Sequence, residues 1–252
     1  MTDLGFIGTG HLAAFLVEGL RRAGADYAIT VSPRNRAMAE ELRSRFGVAI
    51  APDNQAVVDG CDVIVASVLP RQAGAVLTPL KFRRDQTVLS VMAGVGILAV
   101  REHASPATVA VAMMPGHANA FCVGPSALYP DVPAARALLR HLGPVHVYGD
   151  EAIFTAASVF GAFSGMSLLL MKQAIDWFTA KGLDATDART LVAEVIGGNA
   201  AVLRDSALGL DEIVAGVATP GGITEQGWRV AGQGRHWPAA LDAVLRRLSQ
   251  AE

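Results

Sequence analysis

Leu4-Gly5-Phe6-Ile7-Gly8-Thr9-Gly10-His11-Leu12-Ala13-Ala14-Phe15-Leu16 decides how the rest of the chain is read. A short apolar run of strand character meets a turn with glycines at 8 and 10, and helical periodicity begins at once. In the spacing Gly8-x-Gly10-x-x-Ala13, Gly8 permits a tight turn and Gly10 lets phosphates approach the backbone. The small Ala13 lets the helix lie against the strand. Phosphates at that turn would meet the positive end of the helix. A glycine turn of this spacing also occurs in unrelated α/β folds, but a strand before it and a helix after it point to a bound dinucleotide.

Outward from this turn, strand-like runs at residues 4–7, 27–31, 48–51, 62–68, 87–92 and 109–113 alternate with helical stretches. Helices are expected at 11–23 and 35–46, closed by Gly24 and Gly47. A smaller unit (126–129, 134–142 and 145–148) completes this part. From about Asp150 strand character stops, and helical segments are expected at 151–165, 166–181, 187–204 and 238–248. The fold class expected is therefore α/β, with a Rossmann-type parallel-sheet domain over residues 1–149 and an all-helical domain over 150–252.

With 52 % apolar and 17 % charged residues, the chain has the makings of a well-buried core rather than a disordered tail. A formal charge of -2 provides no field for a nucleic-acid backbone. Cys61 and Cys122 lie far apart without a partner motif, so neither a disulfide scaffold nor a metal site is expected, and a reducing, cytoplasmic setting fits. Asp3 and the glycine turn stand where an apolar leader would be. Residues 152–171 carry no charge and match a bilayer span in length. They are rich in Thr, Ser, Gly and Ala, with Gly161 and Gly165 four apart, and are expected to lie in a soluble core or subunit interface rather than a membrane.

The end of the second strand selects among dinucleotides. An acid there would hold a ribose 2′-hydroxyl. This chain has Ser32-Pro33-Arg34-Asn35-Arg36, with no acid between Tyr27 and Ala39. A hydroxyl and guanidinium groups suit a 2′-phosphate, so NADP is expected with Ser32 and Arg34 as its ligands; the plain alternative is the solvated first turn of a helix.

Several motifs resemble the pyrroline-5-carboxylate reductase family along nearly the whole chain. They are the opening turn, Leu69-Pro70, Val88-Leu89-Ser90 with Ala93-Gly94-Val95, Met114-Pro115, and above all Thr219-Pro220-Gly221-Gly222-Ile223-Thr224. The resemblance implies NADPH-dependent reduction of a C=N bond in a small cyclic imino acid and a homodimer built by the helical domain. It also implies a cofactor site of Gly8, Thr9, Gly10, His11, Leu12, Ala13, Ser32, Arg34, Val68, Pro70, Ala93, Met114 and Pro115. The substrate carboxylate is assigned to Gly221, Gly222 and Thr224. Physically, two adjacent glycines leave N–H groups uncovered and Thr224 adds a hydroxyl, although an N-capped helix after a Pro-Gly turn has the same look.

The departures are specific. Met114-Pro115-Gly116-His117 stands where the family has Met-Pro-Asn-Thr. Phe160-Gly161-Ala162-Phe163-Ser164-Gly165-Met166 stands where it has Ser-Gly-Ser-Gly-Pro-Ala-Tyr, and Leu69 replaces its usual lysine. These changes imply a diverged substrate pocket. Thr224, Ser164 and His117 are the candidate catalytic residues, His117 because an imidazole can donate a proton or orient substrate; the favoured reading of His117 is still a surface or loop histidine without a role. His11 is expected to pack at the helix start, and Trp177, Phe178, Trp228 and Trp237 to pack or form an interface. An alternative reaction is that of β-hydroxyacid dehydrogenases with Lys172 as general acid/base; Asp176 one turn later favours instead a lysine that reaches solvent beside it. A further alternative is a dinucleotide-binding protein without turnover.

Overall fold

In the computed structural model, residues 2–218, 220–231 and 237–249 are described, without the side chains of 228–231 and 237–241. Strands β1 (Thr2–Ile7), β2 (Tyr27–Val31), β3 (Ala49–Ile50), β4 (Val63–Ala66), β5 (Thr87–Ser90), β6 (Thr108–Met113), β7 (Ser126–Tyr129) and β8 (Val145–Val147) form one sheet. Their order is β3-β2-β1-β4-β5-β6-β7-β8. The first six run parallel; β7 pairs antiparallel with β6, and β8 returns parallel to β7. The parallel sheet expected from the sequence is present through β6, and one edge is mixed, where β7 lies beside β6 without a crossover connection.

Helices α1 (His11–Arg22), α2 (Arg36–Phe46), α3 (Asn54–Gly60), α4 (Ala73–Leu77), α5 (Ile97–Ala104), α6 (His117–Ala120) and α7 (Pro133–Arg140) connect the strands. Alternation along β1 shows how both faces are filled. Leu4 and Phe6 join the core beneath α1, α2 and α7, while Ile7 joins the opposite core with Val57 of α3 and Val100 of α5. Strands buried on both sides read as continuous apolar runs, as Val63–Ala66 does. Local signals set the helix ends. Asn35 accepts from the Met38 N–H at the start of α2, Gly47 closes it in the left-handed region, and Arg21 and Arg22 complement the dipole at the end of α1.

The remaining helices are α8 (Glu151–Ala157), α9 (Phe160–Ala180), α10 (Ala185–Asp205), α11 (Leu210–Val217), α12 (Ile223–Ala231) and α13 (Trp237–Ser249). The chain forms two compact units, Met1–Ala162 with Ala243–Glu252, and Phe163–Asp242. The composition shift at residue 150 marks the end of the sheet, and the packing boundary falls later. Helix α8 stays with the sheet because Phe154 stacks on Tyr129 of β7 at 6.1 Å and Ser158 and Val159 are buried. The helix break expected at 165/166 lies instead at Ser158 and Val159, between α8 and α9. Both cysteines are free; burial and the nearby Asp3 carboxylate push the Cys61 thiol up to about 11.

Candidate functional site

In the order β3-β2-β1-β4-β5, the strand sequence reverses between β1 and β4, so a crevice opens at the carboxyl ends of these strands. Gly8 lies there with φ +95°, a conformation that a side chain would strain. A Cβ on Gly8 would also lie 2.7 Å from the Ser67 carbonyl oxygen. The turn is fastened from both sides. The Gly8 N–H donates to Ser32 Oγ at 3.0 Å, Thr9 Oγ1 donates to the Ser32 carbonyl at 2.7 Å, and Ser67 Oγ donates to the Gly8 carbonyl at 2.6 Å. Beyond it nothing comes within 4 Å of a Cβ built on Gly10, and no side chain caps the first turn of α1. Unpaired N–H groups at a helix start facing open space form a site for anionic oxygens.

A groove of about 720 Å³ runs across this turn. It brings together Gly8, Thr9, Gly10, His11, Leu12, Arg34, Val68, Pro70 and Ala93, all named from the sequence, and adds Asn35, Ser67, Leu69, Gln72, Val91 and Met92. His11 lines the groove and is exposed, which corrects its expected packing role: the residue after the N-cap points outward from the helix. Ala13 is buried on the inner face of α1, as close contact of helix and strand requires.

Ser32 is the clearest correction. It is 1 % exposed, and its hydroxyl is engaged by the Gly8 N–H and Thr9 Oγ1. It shapes the turn from below rather than presenting its oxygen to a ligand. Arg34 is exposed at the groove edge, with Nη1 donating to Gln72 Oε1 at 3.4 Å. Among the described residues no acid pairs with Arg34, Arg36 or Arg71.

At the other end, a small cavity of about 50 Å³ lies between residues 92–96 after β5, residues 111–113 of β6, and one face of α8 with Ser158. Glu151 Oε1 accepts from the Ile97 N–H at 3.1 Å, so its carboxylate stands at the positive start of α5. Thr155 and Ser158 donate back to the Glu151 and Phe154 carbonyls. Sequence reasoning passed over Glu151, Thr155 and Ser158. Their spacing of four and three residues on an otherwise apolar segment was the available signal.

Met114 and Pro115 follow β6 outside the groove lining. Gly116 has φ +79°, and a Cβ there would meet the Leu12 and Phe15 side chains at 3.2 Å each, so an asparagine would be strained on this backbone and would have to push both side chains aside. His117 is exposed, its ring 4.0 Å from that of Phe15. The amide that this chain does supply is Asn119, fully buried. It accepts from the Gly116 N–H at 3.0 Å and donates to the Gly124 and Leu142 carbonyls.

The other candidates belong to the helical unit. Ser164 is half-buried on α9. Gly221 has φ +76°, its N–H donates to Glu225 Oε2 at 2.7 Å, and Thr224 is half-buried in the first turn of α12. One N–H of this loop is therefore committed to a carboxylate of its own helix. Thr219 and the side chains of Trp228 and Trp237 lie outside the described residues. Lys172 is 68 % exposed and pairs with Asp176, and Trp177, edge-on to Phe178, is 58 % exposed. Among the described residues no cluster of metal-binding side chains occurs.

Residues 3–94 match the family model described as NADP oxidoreductase coenzyme F420-dependent, and residues 151–252 match that described as pyrroline-5-carboxylate reductase dimerisation. Pyrroline-5-carboxylate reductase 2 of Bacillus subtilis is 23 % identical over 255 residues, covering 97 % of this chain and 92 % of the relative. Among solved structures, Plasmodium falciparum pyrroline carboxylate reductase with NADP bound superposes with a TM-score of 0.87 at 19 % identity, over 99 % of this chain and 98 % of that one. The Streptococcus pyogenes 1-pyrroline-5-carboxylate reductase gives 0.85 at 18 %, over 98 % of both chains. The sheet, the crevice and both matched segments agree, and the chain is similar along nearly its whole length to pyrroline-5-carboxylate reductases, with residues 151–252 matching their dimerisation domain.

Proposed function

We propose that this chain is an NADPH-dependent reductase of the C=N bond of a small cyclic imino acid, working as a homodimer in the cytoplasm. The observation that carries the reading is the groove: the uncapped start of α1 lies at its centre, Arg34 at one end and Ala93 at the other. The full-length likeness to pyrroline-5-carboxylate reductases supplies the reaction class.

The residues present fit the dinucleotide. The open space above Gly10 admits a pyrophosphate against the N–H groups of α1, and Arg34 offers a planar fork of donors to a 2′-phosphate. NADPH, when bound, supplies the hydride that the reduction consumes. The chain's own task is then mostly geometric. Gly221, Gly222 and Thr224 are the residues assigned to the substrate carboxylate, and the Thr224 hydroxyl, in the first turn of α12, donates to the carboxylate or bonds the imine nitrogen. Met92, Ala93 and Val95 offer the nicotinamide an apolar wall at the end of β5. A substrate arriving as the protonated iminium needs no proton from the protein at the hydride step. Ser164 and His117 are the remaining candidates to orient it.

The homodimer rests on the apolar surface of the helical unit. Within Glu151–Ala180, an 18-residue window has mean hydropathy 1.8, apolar enough to cross a membrane by length and composition, and 11 % of that window is buried within the single chain. A second copy covering this surface explains it without a membrane, in keeping with the matched dimerisation segment. The formal charge of -2 argues against a nucleic-acid partner.

The deciding assay follows NADPH absorbance with 1-pyrroline-5-carboxylate, 1-pyrroline-2-carboxylate and their six-membered homologues. Turnover is expected with at least one of them; no turnover with any removes the substrate assignment.

A further inference from the structure

The edge of the groove near Arg34 is built from two loops. Arg34 comes from the β2–α2 connection, and Gln72 from the turn that follows β4. They meet through Arg34 Nη1 and the Gln72 carboxamide. Because a guanidinium only donates, the atom facing it must be the amide oxygen, and the Gln72 NH₂ group is turned to other acceptors. Neither a carboxylate nor a second hydrogen bond engages that guanidinium among the described residues. Ser32, the other residue expected at this place, is buried and spent on the Gly8 N–H.

A neutral partner at this position has a definite consequence. It orders a long, exposed arginine, lowering the entropy lost on binding, yet leaves the positive charge whole. An acid would order it equally well but neutralise it. We propose that Gln72 is a specificity-determining residue for the 2′-phosphate of the cofactor. Its carbonyl holds Arg34 across the groove edge, and its NH₂ donates to the same phosphate, so that the recognition site spans both loops. This inference rests on the dinucleotide reading of the groove and adds to it a ligand from the β4 side.

The test measures binding of adenosine 2′,5′-bisphosphate and adenosine 5′-monophosphate by calorimetry to the full-length chain, its Gln72→Glu and Gln72→Ala variants, and each combined with Arg34→Ala. Gln72→Glu keeps the volume and fold, pairs with Arg34 and repels the phosphate. It is expected to weaken the bisphosphate by about tenfold or more while the monophosphate changes by less than about twofold. Gln72→Ala weakens the bisphosphate by a smaller factor, and that factor disappears in the Arg34→Ala background if the two act together. Equal losses for both nucleotides, no change in either, or fully additive effects of Gln72→Ala and Arg34→Ala each overturn the proposal. If neither nucleotide binds the unaltered chain, the dinucleotide reading itself falls. Retained preference for the bisphosphate in Gln72→Glu sinks the role of Gln72 alone.

Discussion

Leu4, Phe6, Leu16 and Leu89 of the sheet unit are sealed from solvent, whereas Leu169, Trp177, Leu203 and Val217 of the helical unit stand 56–61 % exposed. Both regions are rich in apolar residues, so hydropathy alone does not separate them. The difference lies in cover. Each face of the sheet receives helices from its own chain, and its side chains alternate into two closed cores. Helices α9, α10 and α11 present apolar side chains that the single chain leaves in water. Exposed apolar surface on this scale marks an interaction site, and the homodimer proposed above is its natural occupant.

This contrast can be broken in order of size. Gly8→Val puts a side chain into the Ser67 backbone at φ +95°, so nucleotide binding should vanish and stability fall by roughly 3 kcal/mol or more. A thermal shift with and without NADPH reads both effects, and an intact ligand shift would show that the turn tolerates what its geometry forbids. Leu16→Ala should cost about 2–5 kcal/mol in urea unfolding without altering the oligomer. Leu203→Glu should do the reverse, splitting the dimer in size exclusion with light scattering; a dimer unaffected by it would move the interface elsewhere.

Thr224→Ala is expected to lower kcat/KM for the imine on the order of 100-fold, about 2.7 kcal/mol, with NADPH affinity unchanged. A parallel loss of cofactor affinity would place Thr224 in a different role. The smallest effect belongs to Lys172→Ala. An exposed ion pair one helical turn long contributes at most about 0.5 kcal/mol, and turnover should persist. Abolished activity would restore the β-hydroxyacid dehydrogenase alternative.

The sheet was legible because its signals are local. The Gly8-x-Gly10-x-x-Ala13 spacing, the capping glycines and the apolar runs each fix a short stretch, and β2 and β7 fall where the pattern puts them. The antiparallel entry of β7 left no such mark, since strand direction depends on a connection rather than a composition. At the site, the groove residues from β1, β2, β4 and β5 were readable as ends of strands. Ser32 was misjudged because sequence shows a hydroxyl but not the Gly8 N–H that occupies it. Gln72 was missed for a related reason: its meaning comes from Arg34, distant in sequence and adjacent only after folding. Glu151, Thr155 and Ser158 were hidden by the apolar residues around them.

Hydride transfer to an imine is the claim on which the rest depends. Incubation with NADPH deuterated at the transferred C4 position, followed by mass spectrometry of the product, tests it directly. The expected product is a cyclic amine carrying one deuterium in place of a hydrogen, the label residing on the former imine carbon. Nucleotide binding with no labelled amine from any cyclic imino acid would contradict it.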